Sequence, residues 1–233
     1  MVVAKDAEFA NGVGLDIHIR TKIVRFWSYI KNAAIRIGND ILEVEGSAEP
    51  SDTDNHYWIN FEYQGDLNEV GGFPVSVNVQ SPVKKVYEID LNKQYPGAKL
   101  IISTYKEFVR VSFKNADEAA FGNAVGLMGD FKTGKTLARD GETVLDDFSE
   151  LGNEWQVMPS EPKLFHEIDH PHFPEKCIEP EDPRGERHRR LGENTVTEEQ
   201  AETACARLTD AADRKDCVYD ILATQDVGMV GAY

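Results

Sequence analysis

Between Gly14 and Phe113, apolar residues recur at every second position in runs too short for helices. Leu15, Ile17 and Ile19 alternate with Asp16, His18 and Arg20, the two-residue period of a strand with one buried face. Ile23 to Ile30 and Ala34 to Ile37 read as the next strands, with Lys31-Asn32 as a turn between them. Asn39-Asp40 reads as a further turn and Ile41 to Val44 as a further strand. Gly46 to Asn55 is polar and reads as a loop, whereas Tyr57 to Tyr63 reads as one strand from its aromatic and β-branched content. After a turn at Gly71-Gly72-Phe73-Pro74, Val75, Val77 and Val79 alternate with Ser76, Asn78 and Gln80; Val83 to Leu91, Leu100 to Thr104 and Phe108 to Phe113 complete the set. Many short strands with turns at close spacing predict a mainly β fold, an antiparallel β-sandwich rather than βαβ units. Trp27, Tyr29, Trp58, Phe61, Phe108, Phe113 and Trp155 are the aromatic residues expected in its core.

At 233 residues the chain has room for one large domain, or a domain with an appendage. Its net charge of −16 argues against nucleic acid as a partner, because phosphate binding needs cations. No apolar run is long enough to span a bilayer, and Met1-Val2-Val3-Ala4-Lys5-Asp6 lacks the apolar core of a secretion signal.

Beyond Trp155 the composition changes. Six prolines, Pro159, Pro162, Pro171, Pro174, Pro180 and Pro183, mark an extended connector, followed by charged residues to Asn194. Thr197 and Gln200 then form a capping box, Ala201, Ala204, Cys205 and Leu208 share one helical face, and Asp210 can cap a second helix bearing Cys217, Val218, Ile221 and Leu222. The two helices read as a hairpin stapled by Cys205–Cys217; in a reducing compartment the same cysteines would be buried thiols. The expected organisation is therefore a sandwich over residues 1–158, a connector over 159–194 and a C-terminal α-helical hairpin over 195–233.

The stretch from Gly126 to Trp155 is rich in glycine and carboxylate. Gly126-Leu127-Met128-Gly129-Asp130-Phe131, Asp140-Gly141 and Leu151-Gly152-Asn153-Glu154-Trp155 resemble the signature of the von Willebrand factor type D family. A second matching patch runs from Gly14 to Val44, with Ile19-Arg20-Thr21-Lys22, Trp27-Ser28-Tyr29-Ile30 and Ala34-Ile35-Arg36-Ile37-Gly38 at its core. The resemblance implies a non-enzymatic extracellular or cell-surface module for adhesion or assembly, acting through contacts with other proteins. It also implies calcium, with Asp130, Asp140, Asp146 and Asp147 as the ligands available here. Lys132 stands where a ligand aspartate is common and opposes a metal, and the same carboxylates can instead cap turns and face water. The family's opening strand and turn are missing, so the chain is expected to begin inside the domain and to leave a sheet edge for another protein to fill. Met128 replaces the family's usual cysteine, which opposes disulfide-linked multimers. The segment from Ala204 to Asp220 resembles a pared-down form of the cysteine-bearing helical module that follows type D domains, leaving Cys177 without a partner in this chain.

Chemistry-bearing alternatives are few. His166, His170 and His172 could hold zinc or copper if helical, but Pro171 and Pro174 favour an extended connector. Gly129 and Gly134-Lys135-Thr136 have the spacing of a phosphate loop, which would make the chain a nucleotide hydrolase, but Gly141 ends any helix after one turn. A carbohydrate-binding sandwich would need a solvent-facing row of aromatics including Trp58 and Tyr63.

Overall fold

A computed structural model gives the fold of residues 1–24, 27–47, 54–167 and 196–233. The chain divides into two compact units, one of Met1–Thr21 with Ile30–Asp169 and one of Lys22–Tyr29 with His170–Tyr233. The first unit carries two antiparallel sheets. A six-stranded sheet is formed in chain order by β1 (Val2–Asp6), β2 (Leu15–Val24), β3 (Trp27–Ile37), β4 (Asp40–Glu45), β5 (Tyr57–Ile59) and β6 (Glu62–Tyr63). A five-stranded sheet is formed by β7 (Glu69–Val70), β8 (Phe73–Ser81), β9 (Lys84–Asp90), β10 (Lys99–Tyr105) and β11 (Phe108–Lys114). Each strand lies beside its sequence neighbour, the connectivity that short turns permit. The mainly β, antiparallel architecture expected from the alternation is the one observed.

The alternation also places the core. Leu15, Ile17 and Ile19 of β2, Ile35 and Ile37 of β3, and Leu42 and Val44 of β4 share one cluster with Val70, Phe73, Tyr87, Ile89, Leu100 and Ile102 of the other sheet. Phe9 closes one end, its ring 5.3 Å from Tyr95, 5.9 Å from Phe121 and 6.0 Å from Phe73. Short helices α1 (Glu118–Phe121) and α2 (Phe148–Glu154) complete this unit, each capped by the aspartate before it, Asp117 and Asp147.

Three expectations require correction. Lys31-Asn32 is not a turn but lies within β3, because β4 offers carboxylates opposite: Lys31 pairs with Glu45 at 2.7 Å and Asn32 Nδ2 donates to Glu43 at 3.2 Å. Tyr57 to Tyr63 is not one strand but the hairpin β5–β6, turning at Asn60 and Phe61 with φ of 50° and 71°. Asparagine tolerates this left-handed backbone, and Phe61 at the apex is exposed rather than in the core. Of the other expected core aromatics, Tyr29, Trp58 and Trp155 are buried, Phe108 and Phe113 are half-buried, and the Trp27 side chain lies outside the described residues.

The third correction concerns the sheet edge. Residues 1–13, unassigned from the pattern, supply β1, and its outer edge is filled by the chain itself. Lys5 and Val125 exchange backbone hydrogen bonds of 2.8 and 3.0 Å, Leu127 N–H donates to Val2 O, Met128 N–H to Val3 O, and Val2 N–H to Trp155 O. Gly126 makes this approach possible: a Cβ there would stand 2.3 Å from Val3 O.

In the second unit, α3 (Glu198–Cys205) starts with the expected Thr197/Gln200 capping box and α4 (Ala211–Thr224) with the Asp210 cap. A 3₁₀ turn, Val227–Ala232, follows. A Cys205–Cys217 disulfide joins the helices across a Cα separation of 6.1 Å, with Ala201 and Ile221 buried beside it. Cys205→Ser with Cys217→Ser is expected to destabilise this helix pair by about 2 kcal/mol. Helical ellipticity followed against urea, with and without reductant, checks this: the wild type should respond to reductant and the variant should not. Cys177, His170, His172 and most of the connector lie outside the described residues. No described helix is long and apolar enough to cross a membrane.

Candidate functional site

The Gly126–Trp155 stretch is an irregular but tightly bonded loop. Its carboxylates work locally. Asp130 accepts from the Thr133 N–H at 2.8 Å and the Thr133 hydroxyl at 2.6 Å, and that hydroxyl bond above all holds its carboxyl below the usual range. Asp140 accepts from the Thr143 hydroxyl and from the N–H groups of Glu142 and Thr143, again with a lowered carboxyl pKa led by the hydroxyl. Asp147 accepts from Ser149 and Glu150 at the start of α2, and Asp146 precedes it on the surface. Among the described residues, no group of three or more His, Cys, Asp or Glu side chains is placed to hold a metal ion. The four predicted ligands therefore sit in three separate turns.

The phosphate-loop spacing has no phosphate-loop geometry around it. Asp130 N–H donates to Lys135 O, Gly134 N–H to Asp130 O and Lys135 N–H to the Thr133 hydroxyl, so amides that would cradle a phosphate are already bonded. No helix starts at Lys135; the chain runs on to Leu137, which bridges Val144 in antiparallel fashion.

What fixes the loop is a residue that the motif reading passed over. Arg139 Nε donates to Glu154 O at 2.8 Å, Nη2 to Gln156 O at 2.6 Å and Nη1 to Glu161. Its guanidinium lies 4.9 Å from the ring of the fully buried Trp155, whose Nε1 donates to Leu137 O at 2.9 Å. Burial alone would push the Glu161 carboxyl up, but bonds from Arg139 and the Met158 N–H outweigh it and the net direction is down. With its polar groups bonded inward, the loop turns apolar side chains outward: Met128 is 74% exposed and Phe148 87%, with Phe131 and Val144 also exposed.

A second cluster lies on the outer face of the six-stranded sheet. Residues facing away from the core here include Asp16, His18 and Arg20 of β2, Asn32 and Ala34 of β3, Ile41 and Glu43 of β4, and Trp58 of β5. Leu164 packs against Ala34 and Ile41. Arg20 stands 4.7 Å from the Phe165 ring and donates from Nη2 to Glu167 O at 2.6 Å. Glu43, 1% exposed, accepts from the His166 N–H at 2.7 Å, pairs with His166 Nδ1 at 3.0 Å and accepts from Asn32. Trp58 stacks on the His166 ring at 3.8 Å and 10°, while Tyr63 remains about half exposed. Of the three candidate histidines, His166 is thus held by a carboxylate and an indole. The signal for this cluster was present but unread: one carboxylate, Glu43, within the apolar run Ile41-Leu42-Glu43-Val44.

No known family's sequence model matches the chain, and no curated protein matches it.

Proposed function

We propose that the chain is a non-enzymatic structural or adhesion module of the extracellular space or cell surface, resembling the von Willebrand factor type D module, and that it works by protein–protein contact through the Gly126–Trp155 loop, on which Met128 and Phe148 are exposed. The observation that carries this reading is the exposure of Phe148, 87% open at the first turn of α2, together with Met128 at 74%. Large apolar side chains left in water on a hydrogen-bonded loop contribute little to the core, and exposed apolar surface favours a contact site. The Cys205–Cys217 disulfide fits an oxidising compartment.

A photo-crosslinking phenylalanine analogue placed at residue 148 in the native setting tests this. A discrete adduct is expected from position 148 and none from position 79, where Val79 is also exposed but lies on β8. Equal labelling from both positions, or none from either, would sink the reading. Phe148→Ser should abolish the contact while changing stability by no more than about 0.5 kcal/mol. Repeating the measurement with and without calcium ions tests whether a metal assists.

A further inference from the structure

The Leu164–Glu167 segment is held by the outer sheet face as a ligand is held by a receptor. Each of its four residues has a contact there: Leu164 an apolar site at Ala34 and Ile41, His166 the Glu43 carboxylate and the Trp58 ring, and Phe165 and Glu167 the Arg20 guanidinium, one by its ring and the other by its carbonyl. We propose that this face is a recognition groove for an extended Leu-aromatic-His-acid segment, filled here by the chain's own Leu164–Glu167, and that it also takes that segment from a second copy of the chain.

Three physical points carry the proposal. A carboxylate buried on a sheet face costs several kcal/mol in desolvation unless a partner supplies donors. A groove meant only to be covered would use a leucine at this place. Glu43 instead accepts from Asn32 within the sheet and from the His166 N–H, with the His166 imidazole 3.0 Å away at the same register. Recognition is therefore specific to sequence and register, not just to apolar content. Secondly, the polar groups are complementary: the groove offers the Glu43 carboxylate to the His166 N–H and ring nitrogen, and the Arg20 cation to the Glu167 anion at 4.0 Å. Thirdly, segment and groove are remote along the chain. His166 is 123 residues from Glu43 and Glu167 is 147 from Arg20, and a second copy carries the same segment, so exchange between protomers needs a new path only between Glu161, held by Arg139, and Leu164. This surface shares no residue with the Gly126–Trp155 loop.

The test uses the full chain with Leu164→Asp, which empties the groove, and a fluorescent peptide of residues 161–167 as probe. Binding by anisotropy is expected with Kd on the order of 10–100 μM, and at least about tenfold weaker to the wild type, whose own segment competes at high effective concentration. Adding Glu43→Ala to the Leu164→Asp chain should weaken binding about tenfold or more, as should replacing the peptide's histidine by alanine. If Leu164→Asp disturbs the near-UV circular dichroism, the full chain with His166→Ala takes its place. Exchange is then read by sedimentation: a segment-damaged Leu164→Asp chain mixed with a groove-damaged Glu43→Ala chain should form a one-to-one heterodimer, with neither dimerising alone. Folded variants that fail to bind the peptide would overturn the groove. Peptide binding without a heterodimer would overturn the second copy as its occupant.

Discussion

Arg139→Ala is expected to cost the sandwich unit about 3–5 kcal/mol, the largest effect of any single substitution considered. The guanidinium bonds two carbonyls and one carboxylate and covers the Trp155 ring. Its side chain is only 20% exposed and that of Glu161 17%, so water cannot fully replace the lost donors. Removing one member of a largely buried pair is destabilising chiefly because the other is stranded. Lys5, 3.6 Å from Glu161, recovers part of the ion pair but cannot reach the carbonyls of Glu154 and Gln156 as a planar fork does. Arg139→Lys should therefore recover some of the loss and no more. Urea unfolding followed by tryptophan fluorescence measures both variants, with the thermal midpoint of Arg139→Ala falling on the order of 10 °C. A loss below about 1 kcal/mol would show that the loop holds without its clamp.

The second large effect is a pH dependence seated at His18. This side chain is 2% exposed and its Nδ1 has no hydrogen-bond partner among the described residues. Burial foremost, then the positive charge of the Met1 ammonium, lowers its pKa from 6.5 to about 4; Arg36 acts in the same direction, while Asp16 and Glu161 oppose. Because the folded value lies below the unfolded one, the unfolded chain binds a proton between pH 6.5 and 4 that the native chain refuses. The stability that His18 contributes is thus fully present above pH 6.5 and is lost progressively as the pH falls towards 4. The gap corresponds to about 3 kcal/mol. Urea midpoints at pH 7, 5.5 and 4.5 should fall in that order for the wild type, and the slope should flatten in His18→Leu. Identical slopes in the two proteins would exclude His18 as the source. Asp130, Asp140 and Glu161, whose carboxyls are held low, add a further loss at more acidic pH in both.

Much of the fold was legible because a strand advertises itself through its own residues. Leu15 to Arg20, Val75 to Asn78 and Phe108 to Phe113 alternate in the chain as they alternate across the sheet, and no distant residue is needed to read them. The same holds for the capping box at Thr197 and the Asp210 cap, where donor and acceptor are three residues apart. Reading failed where a local signal had a distant owner. Lys31-Asn32 resembles a turn until Glu43 and Glu45 come alongside, and Tyr57 to Tyr63 resembles a strand because aromatic content speaks of burial and not of where the backbone reverses.

The candidate sites divide along the same line. Gly126 and Gly129 were visible as glycines, but only β1 explains why Gly126 tolerates no side chain. Arg139 carries no motif, since two of its three acceptors are backbone carbonyls, which have no sequence identity, and the third, Glu161, lies 22 residues away. Glu43 and His166, 123 positions apart, become partners only through the path of the chain over the sheet. Sequence alone determined the strand period, the helix caps and the cysteine pair that can close, because those rest on forces acting over a few residues. Tertiary structure decided which polar groups are buried, what meets them and which apolar side chains remain in water, because desolvation depends on everything that surrounds an atom and not on its neighbours in the chain.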